Sequence, residues 1–376
     1  MNFFDSTASS VYAWPLQFCA FNIAQTYIFS LITSNVSQVD RIWTFLPVIY
    51  AAYFAFLPIL PRQPSFFLCP YVPENVQSSL AQDFSPRVLL MFSLIVLWMV
   101  RLSYNTYRRG LFNLHDEDYR WAVLRQKISV WLFQVTNLVF IAGIQNALLL
   151  LLAYPVQIAS SVQPHKSLTC SDVLLGFSAL VILGLEFTAD NQQWAFHAYK
   201  HSVLASKKGD KSISKYDEKA QWPGSRLKWT EEDAQRGFIT RGLWAYSRHP
   251  NFACEQSFWW VITLMPLMAP EPPSLPSLAY LKHVLSAMST LPPSHIVTAL
   301  SPCVHLAPAV ALSLLFYSST LFTESITASK YKAYSAYKQR VAMFGFLKTF
   351  WLGMYLYIRG DKNAVEAQIW TKGKTE

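Results

Sequence analysis

Residues 129–154 read SVWLFQVTNLVFIAGIQNALLLLLAY, and no Asp, Glu, Lys or Arg interrupts them. A helix of about 20 apolar residues crosses a hydrocarbon core. Lipid offers no hydrogen bonds, so the run must satisfy its own peptide groups, which a helix does within one segment. The pattern recurs on both sides, giving seven candidate spans over 11–33, 42–60, 86–103, 129–154, 170–192, 252–270 and 299–323. Pro47, Pro58 and Pro266 interrupt the second and sixth, which read as kinked helices. The expected fold class is all-α, a polytopic transmembrane helical bundle. Residues 1–85 hold the first two spans, 86–346 a larger membrane domain and 347–376 a C-terminal tail.

Composition agrees, with 52% apolar residues and only 14% charged in a chain of 376. A net charge of +9 beside long uncharged runs marks a membrane protein, and nucleic-acid binding is not expected. If the N-terminus is non-cytoplasmic and the C-terminus cytoplasmic, all of the 31 Lys and Arg except Arg62, Arg87, Lys166 and Lys282 fall on the cytoplasmic side, as positive-inside bias requires. Asn35-Val36-Ser37 is a glycosylation sequon, but it then faces the cytoplasm and stays unmodified. Residues 1–10 lack a basic stretch and cleavage site, so the first run stays as a span. The five cysteines form no C-x-x-C pair and suggest neither zinc nor a disulfide framework. The Pro-rich stretch 270–293 reads as a connection with a short helix at 278–289.

Carboxylates near spans carry more information, because placing one in the membrane costs roughly 2.5–3.5 kcal/mol even on the lenient insertion scale. Glu186 and Asp190 share one helix face, as do Asn251 and Glu255, while Glu324 closes the last span. Singly, each also reads as an interfacial residue wetted by headgroups. Convergence from three helices at one depth points instead to a polar site. The segment RGFITRGLWAYSRHPNFACE, Arg236 to Glu255, is the densest feature. Gly242 permits a tight turn, and Pro250 suits the first position of a helix. Arg241, Arg248 and His249 beside that helix N-terminus suit an anion, either a ligand phosphate or carboxylate or a lipid headgroup.

Gly242-Leu243-Trp244-Ala245-Tyr246-Ser247-Arg248-His249-Pro250-Asn251-Phe252 followed by Glu255 resembles the GLW-x-YSRHPN(Y/F)-x-x-E signature of the steroid 5-alpha-reductase-like membrane proteins, in their uncharacterised branch. Arg101-Leu102-Ser103-Tyr104, Glu117-Asp118-Tyr119-Arg120 with Arg125, Glu186-x-x-x-Asp190-x-Gln192, Thr323-Glu324 and Lys330-Tyr331-x-x-Tyr334-x-x-Tyr337 resemble further elements of that branch, in order over 86–346. The resemblance implies an oxidoreductase in which NADPH, held by the C-terminal helices and loops, reduces a carbon–carbon double bond of a lipid or sterol-like substrate. Carried onto this chain, it places Asp190, Asn251 and Glu255 at the cofactor with Glu186 beside them, and Tyr246 and Arg248 in the same signature. Arg236, Arg241 and Arg248 are the available partners for a 2′-phosphate, and His249 and Glu324 complete the expected cofactor set. Steroid reductases proper carry Gly-Ala where this chain has His249-Pro250 and basic residues where it has Thr323-Glu324, so steroid itself is not implied. The early spans should supply the proton donor. Tyr27 and Tyr104 are available, though both also suit interfacial anchoring.

The strongest rival is a membrane methyltransferase of the isoprenylcysteine or phospholipid type, which uses an RHP-x-(Y/F) segment for S-adenosylmethionine and follows it with paired glutamates. Here Glu324 is followed by Ser325. A non-catalytic lipid-binding scaffold is the third reading. His197 and His201 have a metal-ligand spacing, but the other histidines form no companion clusters, so the pair reads as an exposed extension of the fifth helix and no metal is expected. The expected partners are the lipid bilayer and a hydrophobic small molecule, with no protein partner, and the expected location is the endoplasmic reticulum membrane.

Overall fold

A computed structural model describes residues 10–66, 68–77, 82–210, 212, 214–287 and 291–370, and every regular element among them is helical. Expectations for residues 1–9 and 371–376 lie outside the described residues. The principal helices are α1 (Ala13–Thr33), α2 (Leu46–Ala55), α3 (Pro86–Arg108), α4 (Val130–Val162), α5 (Cys170–Lys208), α6 (Pro250–Leu267), α7 (Ser294–Lys330), α8 (Tyr334–Arg340), α9 (Phe346–Ile358) and α10 (Lys362–Ile369). Among the described residues five of them, α1, α3, α4, α5 and α7, are long and apolar enough to cross a membrane. The chain is a multi-pass helical membrane protein.

The second and sixth expected spans are not among those five. Pro47 sits in the first turn of α2 and Pro58 lies just past its end. That leaves 10 residues, about 15 Å at 1.5 Å per residue. Tyr50, Ala51 and Phe54 bury this short helix. In α6, Asn251, Glu255 and Gln256 make the first two turns polar and Pro266 interrupts the end. By contrast α5 continues past residue 192 for a total of 39 residues, about 58 Å, and so carries His197 and His201 on its continuation. A helix Leu278–Ser286 occupies the Pro-rich connection, whose residues 288–290 are outside those described.

The chain divides into two units, residues 1–180 with 259–312, and residues 181–258 with 313–376. Polar side chains organise the first. Ser85 caps α3 by accepting from Val88 N, and Pro86 fills the first turn, where no N–H is needed. Arg87, at the second position of α3, pairs with Asp172 of α5 through Nε–Oδ1 at 2.7 Å and Nη2–Oδ2 at 3.2 Å, while its Nη1 donates to Gln163 Oε1 at 2.9 Å. Within α4 a π-helical stretch, Asn137–Ile144, begins where Asn137 Nδ2 donates to Ser30 Oγ of α1 at 2.7 Å.

The Glu-Asp-Tyr-Arg element closes a loop on the same unit. Glu117 Oε1 accepts from Val36 N at 2.8 Å, Asp118 N donates to Ser37 Oγ at 3.0 Å, and Arg41 Nη2 donates to the carbonyls of Asn113, Leu114 and Asp116. Asn35 is buried there, its Nδ2 donating to Asp116 O at 3.0 Å. The carboxyl of Asp118 is opposed by burial, but the Arg120 guanidinium bonded to it outweighs this and holds it below the usual carboxylate range.

The second unit packs Phe238, Tyr334, Tyr337, Val341, Leu356 and Ile369 into one core and Phe196, Trp229, Ile239 and Trp244 into another. Leu356 and Ile369, which belong to α9 and α10, are part of the first of these cores.

Candidate functional site

Nine of the ten residues that the sequence proposes for the cofactor form three hydrogen-bonded or helix-linked groups, all within the second unit. The first joins α5 to α6. Asn251 Nδ2 donates to Asp190 Oδ1 at 3.2 Å, which brings the Glu186–Asp190 face of α5 against the Asn251–Glu255 face of α6. All four side chains are buried. Gln192, one turn-half beyond Asp190, holds the approach to α6. Its Oε1 accepts from Leu243 N at 2.9 Å and its Nε2 donates to Gly224 O at 3.0 Å. Gly242 has φ +63°, and a Cβ there would lie 2.5 Å from Gln192 Oε1, so both conformation and space demand glycine. Pro250 does open α6.

In the second group Glu324 of α7 is only 1% exposed and takes the guanidinium of Arg248 through Nε–Oε1 at 2.6 Å and Nη2–Oε2 at 3.1 Å. The same carboxylate accepts from His249 Nε2 at 3.0 Å and Tyr334 Oη at 3.2 Å, with Lys338 Nζ 3.6 Å away. Arg248 Nη1 donates to the carbonyls of Val341 and Lys338, and the backbone N–H groups of Arg248 and His249 donate to Ala342 O at 2.9 Å and Met343 O at 3.1 Å. Burial pushes His249 below the ordinary histidine range, and Glu324, though it favours the charged form, does not offset it. The neutral ring then carries its proton on Nε2 and donates it to Glu324. For Arg248 and His249 the paired anion is the chain's own Glu324, and all three guanidinium nitrogens of Arg248 are engaged.

The third group centres on Asp233. Thr230 and Asp233 form a capping box at the helix Glu231–Arg236, and Asp233 also pairs with Arg236 and, at 2.6 Å, with Arg241 Nε. Arg236 Nη1 is further tied to Ile369 O at 2.6 Å, whereas the Arg241 side chain keeps 38% exposure. Tyr246 stands apart from the three groups, its ring exposed and its carbonyl accepting from Thr349 Oγ1 at 2.6 Å.

The first unit contains a separate cavity of about 230 Å³, lined by residues that include Ser30, Leu31, Arg125, Phe133 and Asn137. Asn137 Oδ1 is buried there without a hydrogen-bond partner among the described residues. Tyr104 is exposed on α3, with the Arg108 guanidinium 5.1 Å from its ring centre. Among the described residues no group of three His, Cys, Asp or Glu is placed to hold a metal ion.

Residues 26–293 match the family described as "Protein of unknown function (DUF1295)". The chain belongs to this family. An uncharacterized protein of Schizosaccharomyces pombe is 28% identical over 315 residues, covering 84% of this chain and 74% of that protein. No solved structure matches the chain.

In this DUF1295 protein the matched region contains the Asp190–Asn251 junction and the Arg236–Glu255 segment, while Glu324 and the helices after it lie beyond the match. Asp233 is marked in the sequence only by the capping signal Thr230-x-x-Asp233. Gln192 and Tyr334 stand in recognisable motifs, but only the fold gives them partners. Nothing local marks Thr349, which bonds both Tyr246 O and Ala342 N. Chemically, the first group offers buried carboxylate and amide groups suited to hydroxyls and a carboxamide, and the third a partly exposed guanidinium already paired with Asp233.

Proposed function

We propose that the protein is a steroid 5-alpha-reductase-like membrane oxidoreductase that uses NADPH to reduce a carbon–carbon double bond in a lipid or sterol-like substrate, acting in the endoplasmic reticulum membrane. The observation that carries this reading is the Asp190–Asn251 hydrogen bond, which joins two buried polar helix faces into one site. Asp190, Asn251 and Glu255 would hold ribose hydroxyls and the carboxamide, with Glu186 beside them. Of the three candidate arginines, Arg241 keeps the most side-chain exposure, beside its pairing with Asp233, and would meet the 2′-phosphate. Arg248, His249 and Glu324 would position the Ser247–Asn251 segment rather than touch the cofactor. When bound, NADPH would supply a hydride.

The test is a thermal-shift measurement on the full-length protein in detergent and in nanodiscs. A ligand at a hundredfold excess over its Kd stabilises the folded state by about 2.7 kcal/mol. NADPH should raise the melting temperature and S-adenosylhomocysteine should not. Arg241→Ala should narrow the preference for NADPH over NADH by roughly 1.5–3 kcal/mol, the value of a charge-assisted bond. A shift with S-adenosylhomocysteine alone would replace the reductase with a methyltransferase, and no shift with either would leave the scaffold.

A further inference from the structure

The α9 sequence, FLKTFWLGMYLYI, is apolar on more sides than one packing face needs. At 100° per residue, Thr349, Gly353 and Leu356 fall on one narrow face, and these are its buried positions. That face is held inside the second unit. Leu356 enters the core with Tyr337 and Val341, and Thr349 bonds Tyr246 O. A Cβ on Gly353 would lie 3.0 Å from Arg340 Nη1, so glycine admits the guanidinium of α8 against the helix. Phe346, Leu347, Phe350, Trp351, Tyr355 and Ile358 sweep about half the circumference on the other side. All six are exposed, Ile358 by 75%.

A contiguous apolar surface of this kind marks an interaction site, and three features identify its occupant. The helix has 13 residues, about 20 Å, too short for a hydrocarbon core of about 30 Å. Its exposed side mixes Trp and Tyr with Phe, Leu and Ile, the composition favoured where acyl chains meet headgroups. Exposed Lys348 lies at the edge of the apolar arc and Arg359 follows the last turn, placing cations where anionic headgroups would be. We propose that α9 lies in the plane of the bilayer interface with its aromatic side set into one leaflet.

The experiment places p-benzoylphenylalanine at Phe350, a conservative exchange on an exposed position, and separately at Asn363 on α10. The full-length protein is irradiated in nanodiscs of phosphatidylcholine and phosphatidylserine, and the adducts are identified by mass. Position 350 should yield phospholipid adducts several-fold more abundantly than position 363. Adducts to a second copy of the chain, or equal lipid labelling at the two positions, would overturn the assignment. In a second arm Lys348→Glu with Arg359→Glu should lower the phosphatidylserine share of the position-350 adducts while phosphatidylcholine adducts persist. An unchanged share would remove the headgroup contribution.

Discussion

Glu324 shows how one side chain changes meaning between sequence and fold. In the sequence it is a costly carboxylate at the end of a span. In the structure it is the shared acceptor for Arg248, His249 and Tyr334. Breaking a buried ion pair from one side leaves the other charge uncompensated, at a cost of about 3–5 kcal/mol. Glu324→Ala should therefore lower the thermal unfolding temperature sharply, whereas Glu324→Leu with Arg248→Met removes both charges and should recover much of the loss. Equal melting of Glu324→Ala and the parent in detergent would show that the pair is not buried in solution. The cost of each charge was legible from the sequence, because it depends on residue type and hydropathic surroundings. Their mutual bonding was not, because Arg248 and Glu324 are 76 positions apart.

At the level of elements, length and punctuation were the readable quantities. Ser85-Pro86 starts α3 and Pro250 starts α6, each by a local rule. What pins α3 to α5 is less local. Arg87 is a basic residue of the expected non-cytoplasmic side, yet it pairs with Asp172, its Nη1 donates to Gln163 and Glu271 lies 3.8 Å from its Nη2. Asp172→Ala should destabilise the first unit by a comparable 3–5 kcal/mol or so, seen as earlier loss of hydrogen-exchange protection in α3 and the first turns of α5, while the α5–α6 junction at Asp190 keeps its protection. Uniform loss across both units would mean that they unfold together. The Glu-Asp-Tyr-Arg element likewise looked like a family signature without a task. Its bonds to Val36 and Ser37 give it one, the closure of the loop after α1.

For the whole molecule, the charge pattern yields an orientation that can be measured. A protease-sensitive tag inserted in the 207–219 stretch should be cleaved in sealed microsomes, and one in 270–293 should be protected until detergent is added. The reverse pattern would invert the topology. Asn35 should carry no glycan, because its sequon faces the cytoplasm in the expected orientation, and a glycan there would reverse the first loop. The sequence by itself determined that this is a helical membrane protein, where its strongest spans lie and which side chains are expensive. Those properties follow from transfer of each segment between water and lipid, and they sum along the chain. Only the tertiary structure decided that α2 is a buried fragment, that α9 and α10 belong to the second unit, and that the basic signature closes on Glu324. Each of these depends on which distant group fills a particular space, and chain order carries no record of that.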